Sequence, residues 1–469
     1  MKKIFLTQIL IAATLCATAQ PLTIEQCRTM ALEHNRSLSS AKLKLEQTTH
    51  DMKSYKASRY PKIDLMATDF YSTANGSIGI DGGHLPIYNY VSAYGQYVPN
   101  VTIHPDGTYT LNQYADFPNQ QIEWKVKNIF MGGISLMEPI YTGGKISTAI
   151  KMSKLGIQMA TDNIRLTTEE VIVKTDEAYY MVVRAKELRK VAQSYKVLLD
   201  ELMKNVEAAL RHGMKTRNDV MKVQVKLNEA TLAIQKADNG YRLALMNLYH
   251  LTGMPLDTSI DVAETDNNEE QNENIDSASP HTTPSVTTRP EYSILQSKAE
   301  LARQNIKLTQ SDHLPNIAIG ATYTYANGAE LAGKRLLDNG SLTAGIILKM
   351  PIDLFGTTTN KTRSARAAHQ IAILEQQDLT EQMQLELQQS INNADEAQTE
   401  LTLCHTALLQ AEENLSLSRQ QYDLGFETLS DHLEAQAFWQ KCSANLVNAR
   451  CQLRLAKTKL MKASGQMPQ

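Results

Sequence analysis

The sequence predicts a mostly helical α+β chain, built as a tandem repeat in which short β-strands lead into very long helical hairpins. Three observations carry this reading. Stepping alternately by three and four from His432 gives Ala435, Trp439, Cys442, Leu446, Ala449, Leu453, Ala456 and Leu460, a coiled-coil seam free of Gly and Pro. Subtracting 212 gives a second apolar seam: Val220, Val223, Leu227, Ala230, Ile234, Ala237, Tyr241, Ala244 and Leu248. A repeat at fixed offset points to duplication. Four stretches of about ten residues then read as strands, two in each copy.

The first residues decide the compartment. Lys2 and Lys3 precede an apolar run over 4–15, and Ala17-Thr18-Ala19 offers a small-residue cleavage site ahead of Gln20, so 1–19 reads as a signal peptide. The run is too short to cross a bilayer as a helix, and Leu15 stands before Cys16 where lipid attachment needs a small residue. Losing Lys2 and Lys3 moves the formal net charge from -3 to -5. No later stretch gathers Lys and Arg into a nucleic-acid face, so no nucleic acid is expected as a partner.

The first repeat is placed at 20–253. Its opening helix is expected over 22–57, with Thr23 and Glu25 at the start and Arg59-Tyr60-Pro61 at the end. A strand over 61–71 follows, then a polar segment, 72–126, rich in Gly, Pro, Asn and Tyr and without apolar periodicity, which reads as a long loop. A second strand, 129–141, is closed by Glu138-Pro139. Residues 145–211 read as one helix, on the order of 100 Å long, that Gly213 ends. Residues 254–290, with Pro255, Pro280, Pro284 and Pro290 among Asp, Asn, Glu and Ser, read as a mobile linker.

The second repeat, 291–469, follows the same plan. A helix is expected over 292–310, strands over 316–325 and 340–354, and a short loop, 326–340, between them. Met350-Pro351-Ile352 matches Glu138-Pro139-Ile140, Gly425 matches Gly213, and Gly465 matches Gly253, all at the same offset of 212. The second long helix carries Leu387, Ala394, Leu401, Leu408, Leu415 and Tyr422 at sevens, beside small Ser390, Ala397, Cys404, Ala411 and Ser418. Each repeat therefore ends in a helical hairpin.

Of the cysteines left after cleavage, Cys442 and Cys451 lie about 13 Å apart on one helix, too far to bond. Cys27, Cys404, Cys442 and Cys451 are expected as free thiols, small residues on helix seams. The strands demand an oligomer. Four cannot close a membrane barrel, which needs about eight, and an open sheet edge cannot face lipid. Two or three chains must share one barrel. Leu342, Ala344, Ile346, Leu348 and Met350 alternate with Thr343, Gly345, Ile347 and Lys349, an imperfect lipid-out, lumen-in pattern.

Signal peptide, tandem strand-loop-strand-helix repeats and two Gly-marked hairpins together resemble the TolC-like family of outer-membrane efflux proteins. The most specific stretch is Tyr422-Asp423-Leu424-Gly425-Phe426-Glu427-Thr428-Leu429-Ser430-Asp431, with residues 213–219 as its weaker counterpart. The resemblance implies a homotrimer with a twelve-stranded transmembrane β-barrel, continued by a coiled-coil tunnel through the periplasm. It implies an adaptor protein and an inner-membrane pump as partners, besides outer-membrane lipid, and no cofactor.

Both reversals read T-x-x-D after a Gly stop: Thr216 and Asp219 after Gly213, Thr428 and Asp431 after Gly425. That is first a capping pattern. Asp431 and Glu434 share a helix face, and the resemblance places acidic side chains at these positions around the narrowest part of the tunnel. Asp431, Glu434 and Asp219 are therefore the candidate gate, and Gly213, Gly425, Thr216, Thr428 and Tyr422 the candidate adaptor-docking tips. Glu427 stands where some relatives carry a basic residue that helps hold the closed state.

Other chemistries find little support. Thr142-Gly143-Gly144-Lys145 lacks the leading Gly of a phosphate loop, which Pro139 displaces. The His and Cys residues have no metal-ligand spacing, and His432 sits on the seam, placed to pack. No catalytic triad or paired carboxylates lie in a Gly-rich context, so no enzyme is expected. Two other classes fit parts of the pattern: a periplasmic coiled-coil structural protein would leave the strands idle, and an outer-membrane adhesin or receptor would suit the Tyr-rich 72–126 segment but not the hairpins. The equivalent loop, 326–340, is far shorter, and the strand-to-helix order puts both outside the cell.

Overall fold

The computed structural model describes residues 21–257, 260–263, 285–335 and 338–467. The signal peptide and most of the linker lie outside them. The described residues within 1–53, 150–307 and 361–469 form one compact unit, mostly helical, and those within 54–149 and 308–360 a second, mostly sheet.

The helices are α1 (Ile24–His34), α2 (Arg36–Ala57), α3 (Lys145–Arg211), α4 (Arg217–Thr252), α5 (Pro290–Gln310), α6 (Thr357–Asp423) and α7 (Leu429–Ala463). The duplication is visible in their bounds. Both α3 and α6 run 67 residues, and α6 starts and stops at the offset read from the sequence. Thr23 opens α1 with a capping box to Gln26. The single helix expected over 22–57 is instead broken at Asn35, whose Oδ1 accepts from the backbone N–H of Ser37 at 2.8 Å and of Leu38 at 3.1 Å. A short amide side chain offers these donors a cap in place of the helical ladder.

Both seams face inward, buried or half-buried at every position. Val223, Leu227 and Ala230 of α4 close with Leu199, Val206, Leu429 and Leu433 into one apolar cluster, and Ala244, Leu248, Val182 and Cys451 form another with Cys27. The four cysteines among the described residues are free. Burial pushes the Cys27 thiol up to about 12 and the Cys451 thiol to about 11. Part of the expected linker packs here too. Val262 belongs to the Cys27 cluster, Tyr241 donates to Asp261 at 2.6 Å, and Leu22 bridges to Val262.

In the sheet unit, β1 (Lys62–Tyr71), β9 (Gln120–Thr142), β10 (Asn316–Leu331) and β12 (Asp338–Lys349) run antiparallel in that order, with β11 (Lys334–Arg335) beside the end of β10. The register separates two faces. Ile63, Leu136, Ala321 and Ala344 stand in one rank, and Leu65, Ile134, Tyr323 and Leu342 in the next on that face. The opposite face carries Asp64, Ser135, Thr322 and Thr343, then Met66, Gly133, Thr324 and Ser341. The alternation weakly legible in one strand thus becomes an apolar belt across four. Leu65 is 80% exposed and Leu342 73%.

Residues 72–126 differ from the loop expected. They form β2 (Asn75–Ile80), β3 (Gly83–Pro86), β4 (Tyr88–Val91), β5 (Gln96–Pro99), β6 (Val101–Ile103), β7 (Tyr109–Leu111) and β8 (Tyr114–Phe117), and β9 begins at Gln120 to pair with β2. The ladders β3–β8, β4–β5 and β6–β7 meet at a three-way junction. There the Ile87 N–H donates to Gln113 O, the Asn100 N–H to Ile87 O and the Asn112 N–H to Asn100 O. Asn and Gln side chains tie the same three chain segments together, Asn100 Nδ2 to Gln113 and Asn112 Nδ2 to Asn100, each 3.2 Å.

One buried ion pair joins three helices. Asp176 of α3, 0% exposed, accepts a two-pronged contact from the Arg28 guanidinium of α1, both bonds 2.7 Å, and a third bond from the Thr458 hydroxyl of α7 at 3.0 Å. Removing one partner leaves a charge without compensation in a dry site. Arg28→Ala, which strands the fully buried Asp176 carboxylate, is expected to lower the unfolding free energy of the detergent-solubilised chain by about 3 kcal/mol. A change under about 0.5 kcal/mol in denaturant titration, the scale of an ordinary surface substitution, would show that the pair is not uncompensated when broken.

Candidate functional site

The two helical reversals are built alike. Gly213 and Gly425 adopt φ of +75° and +81°, a left-handed conformation that a side chain resists. Each allows the helix to close on itself: the Met214 N–H donates to Ala209 O and the Phe426 N–H to Gln421 O, both 2.9 Å. Thr216 and Thr428 then cap the returning helices. Thr216 Oγ1 accepts from the Asp219 N–H at 3.3 Å, while Asp219 Oδ2 accepts from the Thr216 N–H at 2.9 Å and its hydroxyl at 2.8 Å. Those bonds, the backbone one foremost, hold the Asp219 carboxyl below the usual range. Thr428 and Asp431 repeat the side-chain pair at 2.7 Å.

Capping is therefore a real part of what Asp219 and Asp431 do. It leaves one carboxylate oxygen of each uncommitted by these bonds. Asp431 and Glu434 are exposed, three residues apart on α7, and Asp219 is half-buried. The apolar ends of the turns stand in the open: Phe426 is 83% exposed, and Leu424 and Met214 are 71%. Nothing within 4 Å would meet a Cβ at Gly213 or Gly425.

Tyr422 links one reversal to the other. The Lys215 ammonium of the first lies 4.7 Å from the centre of its ring, and Lys222 reaches Ser430 at 3.3 Å. The His432 ring stacks on Tyr422 at 5.1 Å and 9°. His432 is also the middle of a buried polar chain. Its Nδ1 lies 2.9 Å from Ser418 Oγ, Ser418 donates to Glu427 Oε1 at 2.9 Å, and Gln436 Nε2 stands 3.0 Å from His432 Nε2. An amide N–H facing the ring nitrogen requires that nitrogen to accept, so the arrangement fits a neutral imidazole whose Nδ1–H donates to Ser418. Glu427, where some relatives carry a base, is thus bound inside the second reversal. The sequence marked Ser418 and His432 only as seam positions. Their partnership around the turn was hidden because it depends on how the turn folds back.

The family described as outer membrane efflux protein matches residues 28–254 and 289–466, both repeats. The chain belongs to that family. Outer membrane protein TolC of Vibrio cholerae is 22% identical over 368 residues, covering 76% of this chain and 80% of that one. The alkaline protease secretion protein AprF of Pseudomonas aeruginosa is 23% identical over 242 residues, about half of each. The crystal structure of VceC from Vibrio cholerae superposes with a TM-score of 0.70 at 16% identity, over 94% of this chain and 96% of that one. This efflux protein is accordingly an outer-membrane channel component with a periplasmic extension, and its mostly helical repeat architecture is that of its relatives.

Burial holds the His432 imidazole below its ordinary range, reinforced by Arg419 and opposed by Glu427 and Asp423. A base whose folded value is depressed stabilises the fold above its unfolded value, near 6.5, and loses that contribution as pH falls through the folded value. Amides around Ser418 and Gln436 are therefore expected to keep their hydrogen-exchange protection down to about pH 6.5 and lose it at lower pH. His432→Phe should remove this dependence. Persistence of the same acid loss in the variant would place its origin elsewhere.

Proposed function

We propose that the chain forms, as a homotrimer, the passive outer-membrane exit duct of a tripartite efflux or type I secretion system, docked to a periplasmic adaptor and an inner-membrane pump. The observation that carries this is the two-faced sheet with both outer edges open. Three copies of its four long strands make a twelve-stranded barrel with the apolar belt toward lipid and the Asp-Ser-Thr face toward water. The name of AprF, a protease secretion protein, supports the secretion alternative.

The gate is the ring of Asp431 and Glu434, with Asp219 at the matching position of the first reversal. Six carboxylates around one opening attract cations and divalent ions by field alone, with no chemistry to perform. No catalytic role, resident cofactor or nucleic acid enters this reading. The docking surface is the exposed end of the hairpins at Gly213 and Gly425, where Met214, Leu424 and Phe426 offer apolar contact to an adaptor tip. Thr216, Thr428 and Tyr422 keep these ends in shape. The four-ladder arm of residues 72–126 lies outside the cell and narrows the mouth.

Planar-bilayer recording tests the gate. Asp431→Asn with Glu434→Gln should reduce cation selectivity and raise the concentration of divalent cation needed for half block by about tenfold or more. Unchanged selectivity and block would confine both residues to capping and surface roles.

A further inference from the structure

Where the segment between the repeats enters α5, a carboxyl group with no part in the gate or the hairpin tips is shut inside the helical unit. Glu169 of α3 is 8% exposed, and its Oε2 is buried without a hydrogen-bond partner among the described residues. An ionised carboxylate is costly there, since neither water nor a donor stabilises that oxygen. The contacts around it identify its neighbours. Asp162 of α3 accepts from the Ser293 hydroxyl of α5 at 2.5 Å, so the start of α5 lies along the turns of α3 that lead to Glu169. This brings in Glu291 and, just ahead of the helix, Arg289, which is 3% exposed. From α7, Thr458 meets Asp176 at 3.0 Å and Lys459 meets Glu177 at 2.9 Å. Lys462, nearly one turn further on, completes the set.

The balance of charge singles out Glu169. Arg289 is divided between Glu291 at 2.9 Å and Glu386 of α6 at 2.7 Å, and Arg165 stands 3.9 Å from Asp162. Asp162, Glu169, Glu291 and Glu386 thus outnumber Arg165, Arg289 and Lys462. Burial works to raise the Glu291 carboxyl, but the bonds from Arg289 to both its oxygens hold it below the ordinary range. The excess therefore falls on Glu169. Burial first, and the Glu291 charge second, push its carboxyl up to about 6, against Arg165, Lys462 and Arg289.

We propose that Glu169 is a proton-operated lock on the joint of α3, α5 and α7. Ionised, it is repelled by Glu291 and loosens the start of α5; with a proton bound in mildly acid medium, it lets the joint close. A carboxyl whose folded value is raised contributes stability that is fully present below its unfolded value, near 4.5, and lost as pH rises through about 6. That direction is opposite to the one set by His432, which sits at the other end of α7. The lock needs only the helical unit of one chain and stands whether or not the duct reading does.

Hydrogen exchange of the full-length protein in detergent, corrected for the intrinsic rate at each pH, reads the joint directly. Amides of residues 293–300 should be about tenfold more protected at about pH 5 than at about pH 7.5. Glu169→Gln, a neutral isostere, should keep the higher protection at both. Glu291→Gln removes the opposing charge and frees Arg289, so it should move the midpoint of the change to lower pH. Infrared difference spectra over the same range should show a carboxyl titrating near pH 6 that Glu169→Gln lacks. Acid protection that persists unchanged in Glu169→Gln, a midpoint unmoved by Glu291→Gln, or identical infrared titrations of the two proteins would each overturn the proposal.

Discussion

Backbone hydrogen bonding at the two outer edges of the sheet governs everything else this chain can be. Along β1 the ladder partner is β9, and along β12 it is β10, so among the described residues each of these strands has one edge without a neighbour. In water such an edge is tolerable. In hydrocarbon each unmet N–H or C=O costs several kcal/mol, more in sum than the net stability of a typical domain. The apolar ranks through Leu65 and Ile63 show that this sheet is made for hydrocarbon on one face. In the proposed trimer these edges are met by other copies, β1 of one chain against β12 of the next.

The helical unit answers a different requirement, holding helices of 67 residues in register with modest side chains. Alternation of large and small residues lets the backbones approach, as at Leu446 and Ala449 or Leu227 and Ala230. Such seams can slip by a heptad at little cost. The Arg28–Asp176–Thr458 cluster supplies a polar contact that only one register satisfies, a role for which buried polar groups in coiled coils are best attested. At the reversals the same logic operates on a smaller scale, where Lys215, Tyr422 and His432 hold one turn against the other.

Much of this was legible in the sequence where local chemistry settles local structure. The long helices follow from the 3-4 seams and their Gly stops, and α3 ends at Arg211 just before Gly213. The four long strands were legible in position but not in length: β9 starts at Gln120 and β10 runs on to Leu331, past the ends the turn residues marked, while β12 stops at Lys349 short of 354. The caps at Thr216 and Thr428 follow from T-x-x-D. The 72–126 arm was not legible, because strands of three to six residues that expose both faces leave no period to detect. Nor was the break at Asn35, where one side chain outcompetes an otherwise helical stretch. The buried chain from Gln436 to Glu427 was hidden because it crosses from one helix to the next around the turn, and contacts between the hairpins were hidden likewise. Glu201 and Arg419 meet across 218 positions of sequence, and no spacing rule within one helix brings them together. The gate proposed at Asp431 and Glu434 is a ring only when copies assemble, which no pattern within one chain can display.

The measurement that bears most directly on the account is cross-linking of the open edges. Thr68 on β1 is replaced by Cys together with, one at a time, each position from 341 to 347 on β12, in a chain whose native cysteines are changed to Ala or Ser. Oxidation of the protein in membranes should join chains at a subset of registers spaced by two, since neighbouring side chains point to opposite faces, and the covalent ladder should stop at three chains. Absence of intermolecular bonds at every register, or a ladder that ends at two or continues beyond three, would contradict a barrel shared by three copies.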